Sequence, residues 1–278
     1  MVGVLGCGLM GSGIAQVAAA AGCRTVVVEV DEARLDAGLS RIRRFLDDGV
    51  AKAKLAADAR DATLDRISGT TRVDALAGCD LVIEAIVEDL PAKAAAYAAV
   101  EPVLGERAIL ASNTSSIGIT ELAMRTRRPD RFGGLHFFNP VPLMSLVEIT
   151  RGLTTSDATF EALREFARLV GKEPVLAPDQ PGFIVNRLLM PYLLHAARCF
   201  EQGLASREDI DKAMVLGCGH PMGPLALIDF IGADTTCAIA NVMYGELREP
   251  AFAAPTLLKR MVLAVKLCRK SGEGFYRY

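Results

Sequence analysis

The chain has 278 residues, 51% of them hydrophobic, and a formal net charge of -2. That balance excludes the basic footprint of a nucleic-acid binder and the polybasic face of a binder of anionic membranes. Trp is absent and aromatic residues reach only 6%, so a base-stacking platform is also disfavoured, and the length suits one large domain or two unequal ones.

The first element is an apolar run, Val2 to Leu5, joined through Gly6-Cys7-Gly8-Leu9-Met10-Gly11 to a helix-forming run from Ile14 to Ala21. In such a strand-turn-helix the glycines let the backbone approach a dinucleotide pyrophosphate, and the helix N-terminus binds it. A second strand, Thr25 to Glu29, ends on an acid 18 residues beyond Gly11. This is roughly the spacing, about 20 residues, at which a carboxylate meets the adenosine ribose hydroxyls. Glu29 would repel a 2′-phosphate, so the expected cofactor is NAD(H).

Further along, Asp31 is an N-cap for a helix to about Asp48, and the Ala-, Lys- and Asp-rich stretch from Val50 to Arg66 reads as helical. Strands follow at Leu81 to Glu84, Ala108 to Ser112, Arg131 to His136 and Ser145 to Thr150. Their alternation with helical stretches predicts an α/β fold with a doubly wound, parallel sheet of Rossmann type. Residues 156–170 read as a helix, Glu173 to Ala177 as an added strand, and Pro178 to Gly182 as a hinge.

Beyond the hinge the period is helical: Phe183 to Gln202 with Pro191 inside it, a helix capped by Ser206, and helices over 221–244 and 255–268. The expected organisation is a dinucleotide-binding domain over 1–180 and a smaller all-helical domain over 181–278. Substrate is expected in the cleft between them.

Seven scattered cysteines without a Cys-x-x-Cys pair fit free thiols in a reducing compartment, and Cys218 with His220 is too small a set for a metal site. The small apolar N-terminus imitates a signal peptide. No Lys or Arg precedes it and glycines at dinucleotide spacing interrupt it, so a cytoplasmic protein without a membrane span is expected.

Of three histidines, His195 sits in an apolar helix stretch and His220 in a Gly-Pro turn, both readable as packing residues. His136 closes a predicted strand at the carboxyl edge of the sheet, where such folds bind ligands. Twelve residues later Glu148 interrupts the apolar run Leu146-Val147-Glu148-Ile149, and a carboxylate there is costly to bury unpaired. A His136–Glu148 pair could serve as a general base with its orienting acid, or as a structural ion pair. Ser112 to Ser116 follows another strand at the same edge and could bind a substrate oxygen or cap a turn. Asn186, four residues past Gly182, is a polar residue on the helix expected to face the cleft.

Several stretches resemble the L-3-hydroxyacyl-CoA dehydrogenase family, and among its members the bacterial 3-hydroxybutyryl-CoA enzymes. They are Gly6 to Gln16, Ile83 to Glu88, Ala111 to Ser116, His136-Phe137-Phe138-Asn139-Pro140-Val141-Pro142, Pro181 to Arg187, His220 to Pro224 and Ser271 to Tyr276, in the family's order. The resemblance implies hydride transfer between NAD(H) and C3 of a short-chain 3-hydroxyacyl-CoA. It implies His136 as base and Glu148 as its partner, with Ser115 and Asn186 bonding the substrate and Asn139 beside nicotinamide and thioester. Glu88 and Lys93 match cofactor contacts near the ribose and nicotinamide end, Lys52 matches a lysine near the CoA phosphates, and the helical domain matches the family's dimer contact.

Two departures stand out: Phe45 where some members carry serine, and Cys268-Arg269 where relatives often have Gly-Lys. A related branch resembles L-gulonate dehydrogenase and lens crystallin proteins, and a non-catalytic NAD-binding protein is the remaining alternative.

Overall fold

Strands in the middle of a parallel sheet are covered on both faces and therefore read as unbroken apolar runs. The computed structural model, which describes residues 1–278, places such runs at β1 (Val2–Leu5), β2 (Thr25–Val28) and β4 (Leu81–Glu84), each buried along its whole length. With β3 (Ile67–Thr70), β5 (Ile109–Ser112), β6 (Phe132–Phe137), β7 (Leu146–Thr150) and β8 (Glu173–Ala177) they form one sheet in the order β3-β2-β1-β4-β5-β6-β7-β8.

Helices α1 (Leu9–Ala20), α2 (Glu32–Ala51), α3 (Ala57–Leu64), α4 (Leu90–Val100), α5 (Ile119–Ala123) and α6 (Asp157–Leu169) belong to the same compact unit, Met1–Asp179. The fold is Rossmann-type. Its core joins Val4, Ile14, Val27, Leu35, Ile83 and Leu135.

The sheet departs from an all-parallel reading at one edge. β6 and β7 pair antiparallel, with β8 parallel to β7. The connection over 138–145 is too short for a helical crossover, which takes a dozen or more residues, so the chain turns back on itself. β3 was not among the expected strands, because Ile67-Ser68-Gly69-Thr70 has no apolar run. It is an edge strand held by its ladder to β2, and Gly69 lets it lie against Leu35 and Leu39 of α2.

The stretch from Val50 to Arg66, read as helical, is helix only over α3 and the last turn of α2; Ala53 between them has a left-handed φ of 54°. α4 was also unforeseen. Asp89 caps it by accepting from Ala92 N–H, with Pro91 in the first turn.

The second compact unit, Gln180–Tyr278, is all-helical: α7 (Val185–Glu201), α8 (Arg207–Cys218), α9 (Pro224–Ile231), α10 (Ala233–Leu247) and α11 (Thr256–Leu263). One helix was expected over 221–244. Two are present, bent by 96° at Gly232, whose φ of 103° suits only glycine. α7 starts later than expected because Gly182 and Phe183 both have positive φ, and α11 stops at Leu263 ahead of Val265 and Cys268, which are likewise left-handed. No single helix is long and apolar enough to cross a membrane.

A buried carboxylate fastens the C-terminal segment of this unit. Asp229, fully buried in α9, accepts from Phe275 N–H (2.9 Å), Tyr276 N–H (2.8 Å) and the Tyr278 hydroxyl (3.1 Å). Asp211 of α8 accepts from Leu225 and Ala226 N–H in the first turn of α9 and from the Tyr276 hydroxyl. Asp229→Ala orphans three donors at once and should destabilise the protein by roughly 3–5 kcal/mol, measured by urea unfolding. A loss below about 1 kcal/mol would show that water replaces the carboxylate.

Candidate active site

The glycine turn is shaped by backbone approach rather than by side chains. Gly6 has a φ of 91°, and a Cβ there would lie 2.8 Å from Ala85 O. A Cβ on Gly11 would lie 1.9 Å from Gly6 O, so only glycine lets α1 start this close to β1. At Gly8 a Cβ would meet nothing within 4 Å: this face of the turn is open. Gly8 is the N-cap of α1 and supplies no side-chain cap, and the first turn, with Leu9, Met10 and Gly11, carries no acid. Uncapped N–H groups beside an open glycine are what a pyrophosphate requires.

Glu29 completes the turn from β2. Its Oε2 accepts from Cys7 N–H at 2.7 Å and its Oε1 from Val30 N–H at 2.8 Å, which fixes the carboxylate between the glycine loop and the end of β2. Burial, with Glu29 adding to it, pushes the Cys7 thiol up to about 11, so this cysteine stays protonated and packs as an apolar group. The residues fit a dinucleotide. Gly8→Ala should leave thermal stability unchanged and weaken NADH binding at least tenfold, read by NADH fluorescence, because the methyl fills the open face. Gly11→Ala should instead lower the melting temperature, because the methyl meets backbone.

The strand ends bring the next groups together. Leu5 of β1, Glu84 of β4, Ser112 of β5 and Gly134 of β6 are successive register partners. Glu84 is fully buried and accepts four hydrogen bonds: from Ile86 N–H (2.8 Å) and Lys93 Nζ (2.6 Å) on Oε1, and from the hydroxyls of Tyr97 (2.8 Å) and Ser112 (2.7 Å) on Oε2. Lys93 Nζ also lies 3.2 Å from Glu88 Oε2.

Glu88 in turn gathers the Ser112–Ser116 turn on its Oε1, accepting from the Thr114 hydroxyl, Ser115 N–H, Ser116 N–H and the Ser116 hydroxyl. Partial burial pushes the Glu88 carboxyl up, but Lys93 and these hydrogen bonds outweigh it and hold the group below the usual carboxylate range.

His136 and Glu148 are direct register partners across the β6–β7 ladder, and His136 Nδ1 lies 2.7 Å from Glu148 Oε2. The carboxylate is fully buried and the imidazole nearly so. Asn113 steadies the strand end beside them, its Oδ1 accepting from Phe137 N–H at 2.9 Å, and the Phe138 ring lies 4.4 Å from the imidazole centroid. Asn139 follows, exposed, at the start of the β6–β7 connection.

Other expected residues lie on other elements. Lys52 is exposed just past the end of α2, on the wall of a cavity of about 630 Å³ that Gln16, Phe45, Leu143 and Lys172 also line. Asn186 is the second residue of α7, in the second unit. His195 is exposed on α7, and His220 Nδ1 lies 3.0 Å from the Tyr192 hydroxyl, a packing role for the turn. All seven cysteines are unpaired, and no cluster of ligating side chains could hold a metal ion.

Two groups escaped the sequence reading. Glu84 was visible only as the end of an apolar strand, the same signal that singled out Glu148. Lys172, buried in the connection between α6 and β8, donates to Val141 O (2.6 Å) and Met144 O (2.8 Å); no local pattern marks it.

Residues 1–180 match the family model described as 3-hydroxyacyl-CoA dehydrogenase, NAD binding domain, and residues 182–278 match 3-hydroxyacyl-CoA dehydrogenase, C-terminal domain. The chain belongs to this family. NAD(H) is therefore its cofactor. A curated 3-hydroxybutyryl-CoA dehydrogenase of Mycobacterium tuberculosis is 48% identical over 279 residues, covering 100% of this chain and 98% of the relative. The crystal structure of M. tuberculosis FadB2 superposes with a TM-score of 0.98 at 48% identity, covering 100% and 98% of the two chains. That of (S)-3-hydroxybutyryl-CoA dehydrogenase PaaH1 from Ralstonia eutropha gives 0.94 at 45% identity, with the same coverage.

Proposed function

We propose that the protein interconverts a short-chain L-3-hydroxyacyl-CoA and its 3-oxo form with NAD(H). The observation that carries this reading is the His136–Glu148 pair, a buried imidazole held at Nδ1 by a carboxylate on the same sheet that carries the dinucleotide turn. NAD+ supplies the hydride acceptor, and NADH the donor in reverse. With Nδ1 held, the proton of the substrate C3 hydroxyl passes to Nε2, and the imidazolium so formed faces the Glu148 charge across 2.7 Å. In reduction His136 returns the proton to the forming alkoxide.

Ser115, posed by the Glu88 bonds to its turn, donates to the substrate oxygen, and Asn139 meets the nicotinamide and thioester. Asn186 of the second unit is a further substrate contact. Lys52 at the cavity beside the β6–β7 connection meets the CoA phosphates. Seven free thiols support a reducing, cytoplasmic setting.

NADH consumption with acetoacetyl-CoA, and none with 3-oxo-gulonate, tests the substrate class; the reverse result would move the chain to the sugar-acid branch. His136→Ala should lower kcat by roughly 10²–10⁴-fold while NADH binding stays intact, because the base acts on the alcohol. Glu148→Gln should lower kcat too, and the double variant should be little worse than the worse single one. Strictly additive losses would mark the pair as structural.

The second unit is the proposed dimer contact. Leu188, Leu204, Leu216 and Leu263 are apolar side chains it leaves exposed. Light scattering at micromolar concentration should give twice the chain mass of 29.6 kDa; a monomer mass refutes the contact.

A further inference from the structure

Two carboxylates and one ammonium make the Glu84–Lys93–Glu88 group a fixed charge of -1, and most of it is out of water. Lys93 is 1% exposed and Glu84 not at all, while the Glu88 side chain is 34% exposed. Four hydrogen-bond partners, Ile86 N–H, Lys93 Nζ and the Tyr97 and Ser112 hydroxyls, surround the Glu84 carboxylate. Burial of Lys93 also means that its effect on a dinucleotide runs through charge and through Glu88 rather than through an open contact.

The position of this charge follows from the strand register. The glycine turn leaves β1 just after Leu5, and His136 lies on β6 just after Gly134, with the ends of β4 and β5 between them. Adjacent strands are about 4.8 Å apart, so the span from β1 to β6 is roughly 14 Å. A dinucleotide with its pyrophosphate on the turn and its reactive ring beside the substrate of His136 has to lay the nicotinamide riboside across the ends of β4 and β5. Glu84 ends β4, Glu88 follows it, and Ser112 ends β5.

We infer that Glu84 is a positioning and charge-setting residue for the cofactor: the buried negative group it forms with Lys93 and Glu88 binds the oxidised dinucleotide in preference to the reduced one. The inference rests on the dehydrogenase reading above. NAD+ carries a positive nicotinamide ring and NADH a neutral one, while their phosphates are the same. A fixed charge at the strand ends that the nicotinamide riboside crosses therefore acts on the difference between them, and low solvent access keeps that action from being screened. The same preference moves the equilibrium on the enzyme toward the 3-hydroxy substrate paired with NAD+, because the ratio of the two cofactor affinities enters it directly.

The experiment measures both dissociation constants on the full-length protein, NADH by its own fluorescence and NAD+ by displacement of NADH. Glu84→Gln keeps the shape and removes the charge. It should weaken NAD+ by about tenfold relative to NADH. Glu84→Gln combined with Lys93→Met removes one charge of each sign, leaves Glu88 as the net -1, and should bring the ratio back towards that of the unaltered protein.

An unchanged ratio in Glu84→Gln, with both affinities falling together, overturns the inference. So does a double variant with a ratio no closer to the original than the single one, which would assign the effect to the position of Lys93. If Glu84→Gln does not fold, Glu88→Gln removes one charge from a part-exposed site of the same group, and an unchanged ratio there overturns the inference equally. Failure of the unaltered protein to bind either dinucleotide sinks the cofactor reading itself, a result distinct from an unshifted ratio.

Discussion

Everything chemical in the first unit depends on strands that stop in one line. Because Leu5, Glu84, Ser112 and Gly134 are register partners, the turn after β1, the buried carboxylate of β4, the serine turn after β5 and the histidine of β6 open onto one edge. A slip of one residue in any of these pairings would turn the affected side chains to the opposite face of the sheet. The apolar covering on both sides of the central strands therefore protects the site as well as the fold. Glu148 joins the line by a different route, the antiparallel return of β7, which sets it directly opposite His136.

Buried carboxylates are the recurring device, and each carries several donors. Glu84 and Asp229 are fully buried, and the first holds four donors while the second holds three. An isolated buried charge would cost far more than the folded state could tolerate, whereas a carboxylate with its lone pairs filled converts that cost into a rigid junction. In the first unit the junction ties β4, α4 and β5 together, and Glu88 extends it to the serine turn. In the second it ties the C-terminal segment to α9. The same arrangement thus positions a site in one unit and closes a core in the other.

How much of this the residues announce depends on how local the cause is. The central strands were legible because double-sided burial leaves a continuous apolar run, and Glu148 was legible because a charge inside such a run needs a partner. β3 was not, since an edge strand is held by its neighbour's backbone and its Ile67-Ser68-Gly69-Thr70 sequence carries no pattern. The break at Gly232 was invisible for a similar reason: one glycine inside an apolar helical stretch is tolerated in a straight helix, and only tertiary packing decides that it bends. Lys93 was marked as a cofactor contact by resemblance alone, and its burial between two carboxylates is a property of three elements meeting.

Lys172 shows how a residue far from the base can still bear on it. Its ammonium is buried, and burial pushes it below the ordinary lysine value. Its ammonium donates to the carbonyls of Val141 and Met144, so the charge is spent on holding the β6–β7 connection. That connection carries Asn139 at one end, and Leu143 and Pro142 form part of the cavity wall that also holds Lys52. The loop between His136 and Glu148 is therefore braced from the connection between α6 and β8, outside the β6–β7 ladder that pairs the two residues. Geometry at the imidazole and the shape of the neighbouring cavity are consequently fixed by one loop, and a change in Lys172 would be felt at both.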